Sequence, residues 1–192
     1  MTDLLFIRHA ETDMAGTFCG QSDPPVNAAG RRQICELLAS LRKETIAAVY
    51  TSDLQRSVTT ARALAELFSV PCIVRPALRE NHFGEWEGLT WEQIEKLYPT
   101  DATQWLDGFP HMTPPGAEAF ADFQKRVVAE ARHLLSRNEH GLIAVVGHAG
   151  VMRVVLRALC GVDEQTAWTL TMPYCCTYRY AQQDRRFQEV LG

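Results

Sequence analysis

The sequence lacks long apolar segments and any large excess of charge of one sign. No apolar run in its 192 residues reaches the roughly 20 residues of a membrane-spanning helix, and residues 4–7 are too few for a signal-peptide core. The formal net charge is -4, whereas nucleic-acid and anionic-membrane surfaces usually need a broad basic face. We therefore expect a cytoplasmic protein that binds neither nucleic acid nor membrane. Any anionic substrate must meet a local positive pocket.

Local metal and redox motifs are also missing. The six cysteines form no C-x-x-C pair, and the six histidines form no H-x-x-x-H pair. The adjacent Cys175 and Cys176 are predicted to face opposite sides of a strand as small packing residues. We expect reduced thiols, and no local motif indicates a metal or a cofactor. The sequence carries no signal for an oligomeric state.

What is present is typical of a globular protein. Hydrophobic residues make up 46% and charged residues 22% of the chain, with no repeat, linker or low-complexity tract. A chain of this length can bury one substantial core. We predict a single domain over residues 1–192.

Short β-type runs alternate with helical periods, which predicts a three-layer α/β/α fold with a mainly parallel sheet. The predicted strands are residues 4–7, 47–50, 72–74 and 142–146, followed by an antiparallel edge hairpin of residues 175–180 and 187–191 around the polar segment 182–186. Asn27 is predicted to cap the first helix, and Ser52 with Gln55 to form a capping box for the second.

The segment 75–115 breaks this alternation and is predicted to be a lid-like insertion over a site. Thr90 and Gln93 indicate one short helix within it. Four aromatic residues of this segment could form a wall for a ring-bearing substrate or pack the insertion against the rest of the protein. The packing interpretation is favoured. The four residues are Trp86, Trp91, Trp105 and Phe109.

Five polar residues follow predicted strands, at the edge where open α/β sheets bind ligands. Arg8 and Arg56 suit the non-bridging oxygens of a phosphomonoester, and a neutral His9 can attack phosphorus. His148 can donate a hydrogen bond to the transferring group, and Glu80 can protonate the leaving alkoxide. Position alone does not separate Glu80 from the neighbouring residues 85 and 87, which are also glutamates.

Four ordered segments resemble the histidine phosphatase superfamily, in the branch that includes cofactor-dependent phosphoglycerate mutases. Residues 5–12 (LFIRHAET) resemble its R-H-G-E-T signature and residues 50–57 (YTSDLQRS) its S-x-L-x-R-A segment. Residues 78–88 (LRENHFGEWEG) resemble L-x-E-x-x-F-G-x-W-E-G, and residues 146–153 (VGHAGVMR) resemble G-H-G-G-V-x-R. Residues 114–118 (PPGAE) are similar to the family's P-G-G-E-S turn.

The resemblance implies a metal-independent phosphatase of a small organic phosphate. It implies His9 as the phosphorylated nucleophile and Glu80 as the proton donor and later base. The implied phosphate pocket consists of Arg8, Arg56, His148 and Ala149. The role of Arg153, at the end of the last motif, stays open between a pocket residue and an ordinary helix residue.

The chain departs from the family pattern at three positions. Alanine stands at Ala10 and Ala149 where glycine is usual, so neither backbone is expected to need a positive φ. Ala15 stands where the family commonly has a phosphate-binding asparagine. Thr17 and Ser22 are the candidates to replace it.

Small bacterial phosphatases of this family act on α-ribazole 5'-phosphate or on sugar and other organic phosphates. The resemblance therefore implies α-ribazole 5'-phosphate or a sugar phosphate as the expected substrate. The alternatives are a mutase that returns the phosphoryl group to a rotated substrate, and a non-catalytic phosphate-binding protein. The second of these would be expected to have lost His9 or Glu80. A zinc hydrolase using His9 and His148 would need further ligands from distant parts of the chain.

Overall fold

One mixed sheet of six strands is present in the computed structural model, which describes residues 2–137, 141–183 and 186–191. The strands are β1 (Asp3–Arg8), β2 (Ile46–Thr51), β3 (Cys72–Val74), β4 (Leu142–Gly147), β5 (Thr177–Ala181) and β6 (Arg186–Leu191). Their order is β3-β2-β4-β1-β5-β6. The strands β3, β2, β4 and β1 run parallel to one another. Strand β5 pairs antiparallel with β1, and β6 pairs antiparallel with β5. The predicted parallel sheet with an antiparallel C-terminal edge is confirmed.

Seven α-helices accompany this sheet within the same described residues. They are α1 (Ala28–Leu41), α2 (Gln55–Phe68), α3 (Trp91–Leu97), α4 (Pro99–Gly108), α5 (Phe120–Ser136), α6 (Ala149–Cys160) and α7 (Glu164–Leu170). None of the helices in this part of the chain is long and apolar enough to cross a bilayer.

Strand β1 shows why helices cover both faces of the sheet. Its side chains alternate, so Leu4 and Phe6 join the core formed with α5 and α6, whereas Leu5 and Ile7 join the core formed with α1 and α2. All four are buried. Full burial of each such side chain contributes about 1.5–3 kcal/mol, which fixes the register of the strand that carries the site.

Two of the three predicted helix caps are confirmed. The Asn27 side chain accepts a hydrogen bond from the backbone N–H of Gly30 at 2.8 Å, and Thr90 and Gln93 form a reciprocal capping box. The box at Ser52 is wrong, because α2 begins only at Gln55 and its N-cap is Leu54, which makes no side-chain cap. The Ser52 hydroxyl is used elsewhere, in the site described below.

The insertion contains two α-helices, not the single one predicted. Tyr98 ends α3 and Pro99 starts α4, because proline lacks the N–H that a continuing helix needs but suits a first position. Trp86, Ile94 and Ala102 form a separate small core beneath these helices. The seven-residue helix α7 was not predicted, since it is too short to show a clear helical period.

The last segment differs from its prediction in its boundaries. Strand β5 starts at Thr177, so Cys175 and Cys176 precede it, and Cys175 adopts a φ of 58°. The two side chains still pack into different cores, as expected of small packing residues. The predicted turn between β5 and β6 includes residues 184–185, which lie outside the described residues.

Candidate active site

The two histidines named from the sequence lie side by side because their strands are neighbours. β1 pairs in parallel with β4, with Arg8 opposite Gly147, so the residue after each strand emerges at the same point. The His9 backbone N–H donates to the Gly147 carbonyl at 2.9 Å, and the ring centroids of His9 and His148 are 5.2 Å apart. The sheet therefore places two imidazoles at one strand edge.

The imidazole of His9 is held as a neutral base. Its Nδ1 lies 2.7 Å from the Ala10 carbonyl, to which it can only donate, and its Nε2 accepts from Nε of Arg56 at 3.2 Å. Burial, followed by the charges of Arg56 and Arg8, lowers the pKa of His9 well below its ordinary value. The lone pair on Nε2 is therefore present at neutral pH.

His148 is fully buried beneath this group and is held by one hydroxyl. Its Nε2 lies 2.8 Å from Oγ of Ser52, while Nδ1 has no hydrogen-bond partner among the described residues. Burial first, and then the charges of Arg56 and nearby basic groups, lowers the pKa of His148 well below its ordinary value. If Nε2 accepts a hydrogen bond from the Ser52 hydroxyl, the neutral ring carries its one N–H at Nδ1, where it is a donor without a partner among the described residues.

Arg56 connects His9 to the loop that precedes α1. Its side chain is only 1% exposed, and its Nη1 and Nη2 donate to the carbonyls of Ser22 and Gly20 at 2.5 and 2.6 Å. The Glu87 carboxylate holds the same loop through the backbone N–H groups of Gln21 and Ser22. Gly20 has a φ of +50°, and a Cβ there would lie 2.3 Å from Glu87. The loop thus requires glycine at position 20.

Arg8 is held from the opposite side by the segment before β5. Its Nη1 donates to the carbonyls of Thr171 and Met172, and its guanidinium carbon lies 4.0 Å from the centroid of the Tyr174 ring. The buried Nε has no hydrogen-bond partner among the described residues. The Tyr174 ring is also 5.8 Å from that of His9. Tyr174 was missed, because only the pairing of β5 with β1 brings its segment to this edge.

The Glu80 carboxylate is fixed by two backbone donors. Oε1 accepts from the N–H of Asn81 at 2.8 Å, and Oε2 accepts from the N–H of Gly150 at 2.9 Å. A Cβ on Gly150 would lie 2.1 Å from Oε1, so only glycine lets the carboxylate approach the start of α6 this closely. Arg126, itself paired with Glu118 at 2.7 Å, donates to the Glu80 carbonyl at 3.0 Å and fixes the segment.

The neighbouring acidic residues have other partners. Glu85 accepts from the exposed hydroxyl of Tyr98, and Glu87 holds the loop around Gly20. Glu80 is the one of these three whose side chain lines the cavity above His9. The geometry thus separates three glutamates that position in the sequence could not.

The structure also shows where the departures from the family pattern lie. Ala10 and Ala149 have no positive φ, as expected, and Ala15 is exposed. The Thr17 hydroxyl donates to the Met14 carbonyl, and the Ser22 hydroxyl donates to Glu87. Both candidate replacements for the family asparagine therefore use their protons inside the loop.

One cavity of about 450 Å³ joins these groups. Among the predicted site residues, those that line it are Arg8, His9, Arg56, Glu80 and Ala149. His148, the remaining predicted site residue, does not line the cavity, but its ring lies 5.2 Å from that of His9. The start of the twelve-residue helix α6 faces the cavity at Ala149, where the helix dipole favours an anion. The described residues include no cluster of three or more His, Cys, Asp or Glu side chains arranged to hold a metal ion.

The aromatic residues of the insertion divide between the two interpretations. Trp86 is fully buried in the small core, as the packing interpretation predicts. Trp91 and Trp105 line the cavity, and Phe109 lines a chamber that adjoins it. Internal packing, the favoured interpretation, therefore fully describes only Trp86. The other three aromatic residues also line the cavity or the chamber.

Arg153, left open by the sequence, lies in this cavity. Its guanidinium carbon is 3.6 Å from the centroid of the Trp168 ring, and its Nε donates to Oγ1 of Thr171 at 2.9 Å. Burial lowers the pKa of Arg153 to about 10, so the side chain stays charged at neutral pH. Trp168 was not predicted, because it is carried by the short helix α7.

Comparison with protein families agrees with this geometry. The model of the histidine phosphatase superfamily (branch 1) matches residues 4–191. The chain belongs to this family. It is accordingly a hydrolase of phosphatase type, as relatives named phosphatases also indicate.

Three similar proteins illustrate the range of the family. Phosphoserine phosphatase 1 of Hydrogenobacter thermophilus is 30% identical over 88% of this chain and 81% of its own length. A bifunctional protein, Rv2228c, of Mycobacterium tuberculosis is 33% identical over 81% of this chain, which spans only 43% of that protein. The crystal structure of a putative α-ribazole-5'-P phosphatase from Escherichia coli superposes with a TM-score of 0.86 at 26% identity, covering 98% of this chain and 94% of that one.

Proposed function

We propose that this protein hydrolyses a small phosphomonoester by transferring its phosphoryl group to Nε2 of His9 and then to water. One observation carries the proposal. The neutral imidazole of His9, whose Nε2 lone pair accepts from Nε of Arg56, lies between two guanidinium groups. Two buried nitrogens near it, Nε of Arg8 and Nδ1 of His148, have no hydrogen-bond partner among the described residues. A buried donor without a partner is costly unless a ligand pairs with it.

A phosphate dianion above His9 satisfies these donors. Its non-bridging oxygens accept from Nε of Arg8, from the guanidinium of Arg56 and from Nδ1 of His148. In the loose transition state of phosphoryl transfer, negative charge lies on those same equatorial oxygens. The arrangement therefore stabilises the transferring group without a metal, through donors that are already in place.

Glu80 supplies the proton that the leaving alcohol needs. In the first step the P–O bond to the alcohol breaks, the N–P bond to His9 forms, and the carboxyl proton of Glu80 passes to the alkoxide. In the second step Glu80 takes a proton from water, whose oxygen attacks phosphorus and releases His9. The two backbone donors at Asn81 and Gly150 hold the carboxylate in one place for both transfers.

The substrate we propose is α-ribazole 5'-phosphate or a sugar phosphate. We also propose that the whole chain folds as one domain. The similarity to a putative α-ribazole-5'-P phosphatase along almost the full length supports both statements. The cavity of about 450 Å³ lies within the usual range for small-molecule sites, about 300–1,000 Å³.

A panel of phosphomonoesters tests the function. The purified protein is incubated with α-ribazole 5'-phosphate, sugar phosphates, phosphoserine and 3-phosphoglycerate, in the presence of EDTA, and both free phosphate and isomerised product are measured. We expect free phosphate, no isomerised product, and no turnover by His9→Ala. Product that is mainly isomerised would instead assign a mutase, and equal turnover by His9→Ala would overturn the nucleophile.

A further inference from the structure

A second chamber opens from the catalytic cavity on the side of Glu80. It has a volume of about 110 Å³, enough for one ring-sized group and too small for a whole ligand. Six residues line both spaces, so the chamber continues the cavity. They are Phe18, Glu80, Phe83, Trp105, Arg153 and Trp168.

The position of Glu80 tells which part of a substrate enters this chamber. The phosphoryl group lies at the Arg8 and Arg56 end, and Glu80, as the proposed proton donor, must face the oxygen that leaves. Whatever is bonded to that oxygen extends past Glu80, away from His9. The chamber is therefore on the path of the alcohol, not of the phosphate.

The walls of the chamber are suited to a flat ring. The rings of Trp105 and Phe109 meet edge to face at 5.2 Å, and those of Phe109 and Trp168 at 6.0 Å. Trp168 is 40% exposed although the guanidinium of Arg153 stacks on it, and it lines both the chamber and the cavity. Aromatic rings left partly exposed beside a cavity are characteristic of ligand sites.

One polar group in the chamber lacks a partner. Asn81 lines the chamber and is buried, and its Oδ1 has no hydrogen-bond partner among the described residues. The charged residues farther out, Arg157 and Glu164, pair with each other at 3.6 Å. The side chains of Gln124, Glu80 and Arg153 also line the chamber, the last two where it meets the cavity. Aromatic surface beside the unpartnered acceptor of Asn81 suits a ring that carries an N–H or O–H group.

We propose, on the basis of the phosphatase function above, that this chamber selects phosphomonoesters whose alcohol carries an aromatic or heteroaromatic ring. The ring packs against Trp105, Phe109 and Trp168. Oδ1 of Asn81 accepts a hydrogen bond from a donor on rings that have one. The chamber is a specificity site and takes no part in the bonds that break or form.

Two alkyl phosphates, one with an aromatic ring and one without, test the proposal. 2-Phenylethyl phosphate and n-butyl phosphate have leaving groups of similar acidity, so chemistry at Glu80 affects both alike. We expect kcat/KM to be roughly tenfold or more higher for the phenylethyl ester, since stacking of one ring contributes a factor of this order. Trp168→Ala should lower this ratio by about fivefold, and Trp168→Phe should keep most of it.

A matched control lies on another helix. Leu97 on α3 is 60% exposed and outside the residues that line either space, so Leu97→Ala should leave the ratio unchanged. A ratio near one in the unaltered protein, or an equal loss of ratio in Trp168→Ala and Leu97→Ala, would overturn the proposal.

Binding of non-hydrolysable analogues separates this proposal from the phosphatase function. Calorimetry with 2-phenylethylphosphonate and n-butylphosphonate measures the ring preference even if no phosphate is released from any ester. A roughly tenfold tighter Kd for the phenylethyl compound, lost in Trp168→Ala, supports the chamber whatever the turnover. Equal Kd values alongside normal hydrolysis would refute the chamber and leave the phosphatase function standing.

Discussion

The phosphate end and the leaving-group end of the cavity are built in different ways. At the phosphate end, His9 and His148 follow neighbouring parallel strands, and their geometry is set by the sheet register. At the leaving-group end, Trp105 and Trp168 come from α4 and α7, which lie outside the sheet. Under the proposed mechanism, the difference teaches that reaction chemistry depends on the sheet, whereas selectivity depends on helices that can vary without disturbing it.

The largest effect is expected at the phosphate end, from Arg56→Ala. This change removes a charge that we propose binds phosphate, the donor to Nε2 of His9 and the support of the loop at Gly20 and Ser22. We expect kcat/KM for p-nitrophenyl phosphate to fall by about 10³-fold. Arg153→Ala is the matched arginine at the other end.

Arg153→Ala should lower kcat/KM for p-nitrophenyl phosphate only about tenfold, because the guanidinium of Arg153 stacks on Trp168 and does not contact His9. Steady-state kinetics of the two variants, with circular dichroism to check folding, make the comparison. Equal losses in both would contradict the separation of the two ends.

The next effect concerns the proposed proton donor, Glu80, which lies between the two ends. Glu80→Gln should slow hydrolysis of alkyl phosphates by about 10²-fold and affect p-nitrophenyl phosphate far less, because nitrophenolate leaves without protonation. Gly150→Ala should show the same pattern, since its methyl group would displace the carboxylate. A uniform loss for both kinds of ester would remove Glu80 from the role of acid.

A third effect is a pH dependence of stability that only the phosphate end produces. The pKa values of His9 and His148 are lowered in the fold, so below the ordinary value of about 6.5 the unfolded chain binds protons that the folded chain does not. The free energy of unfolding should then fall with decreasing pH, by up to about 1.4 kcal/mol per pH unit for each imidazole.

Urea denaturation of His148→Asn between about pH 7.5 and pH 5.5 measures the contribution of one imidazole. This variant should lose stability less steeply than the unaltered protein. Trp168→Ala, at the other end, should keep the original slope. An identical slope in all three proteins would show that the buried imidazoles do not titrate as described.

The smallest effect is expected for Ser52→Ala. The variant leaves Nε2 of His148 without its hydroxyl partner, so the ring can adopt either tautomer. We expect kcat to fall about fivefold with little change in KM, consistent with loss of one neutral hydrogen bond. Ser57→Ala, which removes a buried hydroxyl bonded to Thr51 and the Val146 carbonyl, is the control. It should lower stability without lowering kcat in the folded protein.

The phosphate end could be predicted from the sequence because its residues directly follow strands. The alternating pattern predicts a parallel sheet whose strand ends share one edge, which brings Arg8, His9 and His148 to that edge. That β1 and β4 are direct neighbours is seen only in the structure. Glu80 needed the family resemblance as well, since two other glutamates lie within seven residues of it.

The leaving-group end could not be predicted, because its residues meet only through tertiary packing. Trp168 reaches Arg153 from a helix of seven residues. At the phosphate end, Tyr174 was missed for the same reason, because it reaches His9 only through the antiparallel pairing of β5 with β1. Ser52 was misassigned for a related reason. A serine after a strand fits a helix cap locally, and only the fold shows that its hydroxyl bonds His148.

Rapid quenching into base with a ³²P-labelled substrate tests the nucleophile most directly, because phosphohistidine survives alkali. The proposed mechanism predicts one phosphoryl group per active chain, carried by His9, formed before free phosphate appears and absent from His9→Ala. Label on a different residue, or full turnover with no covalent phosphoryl group at any time, would contradict the proposed role of His9.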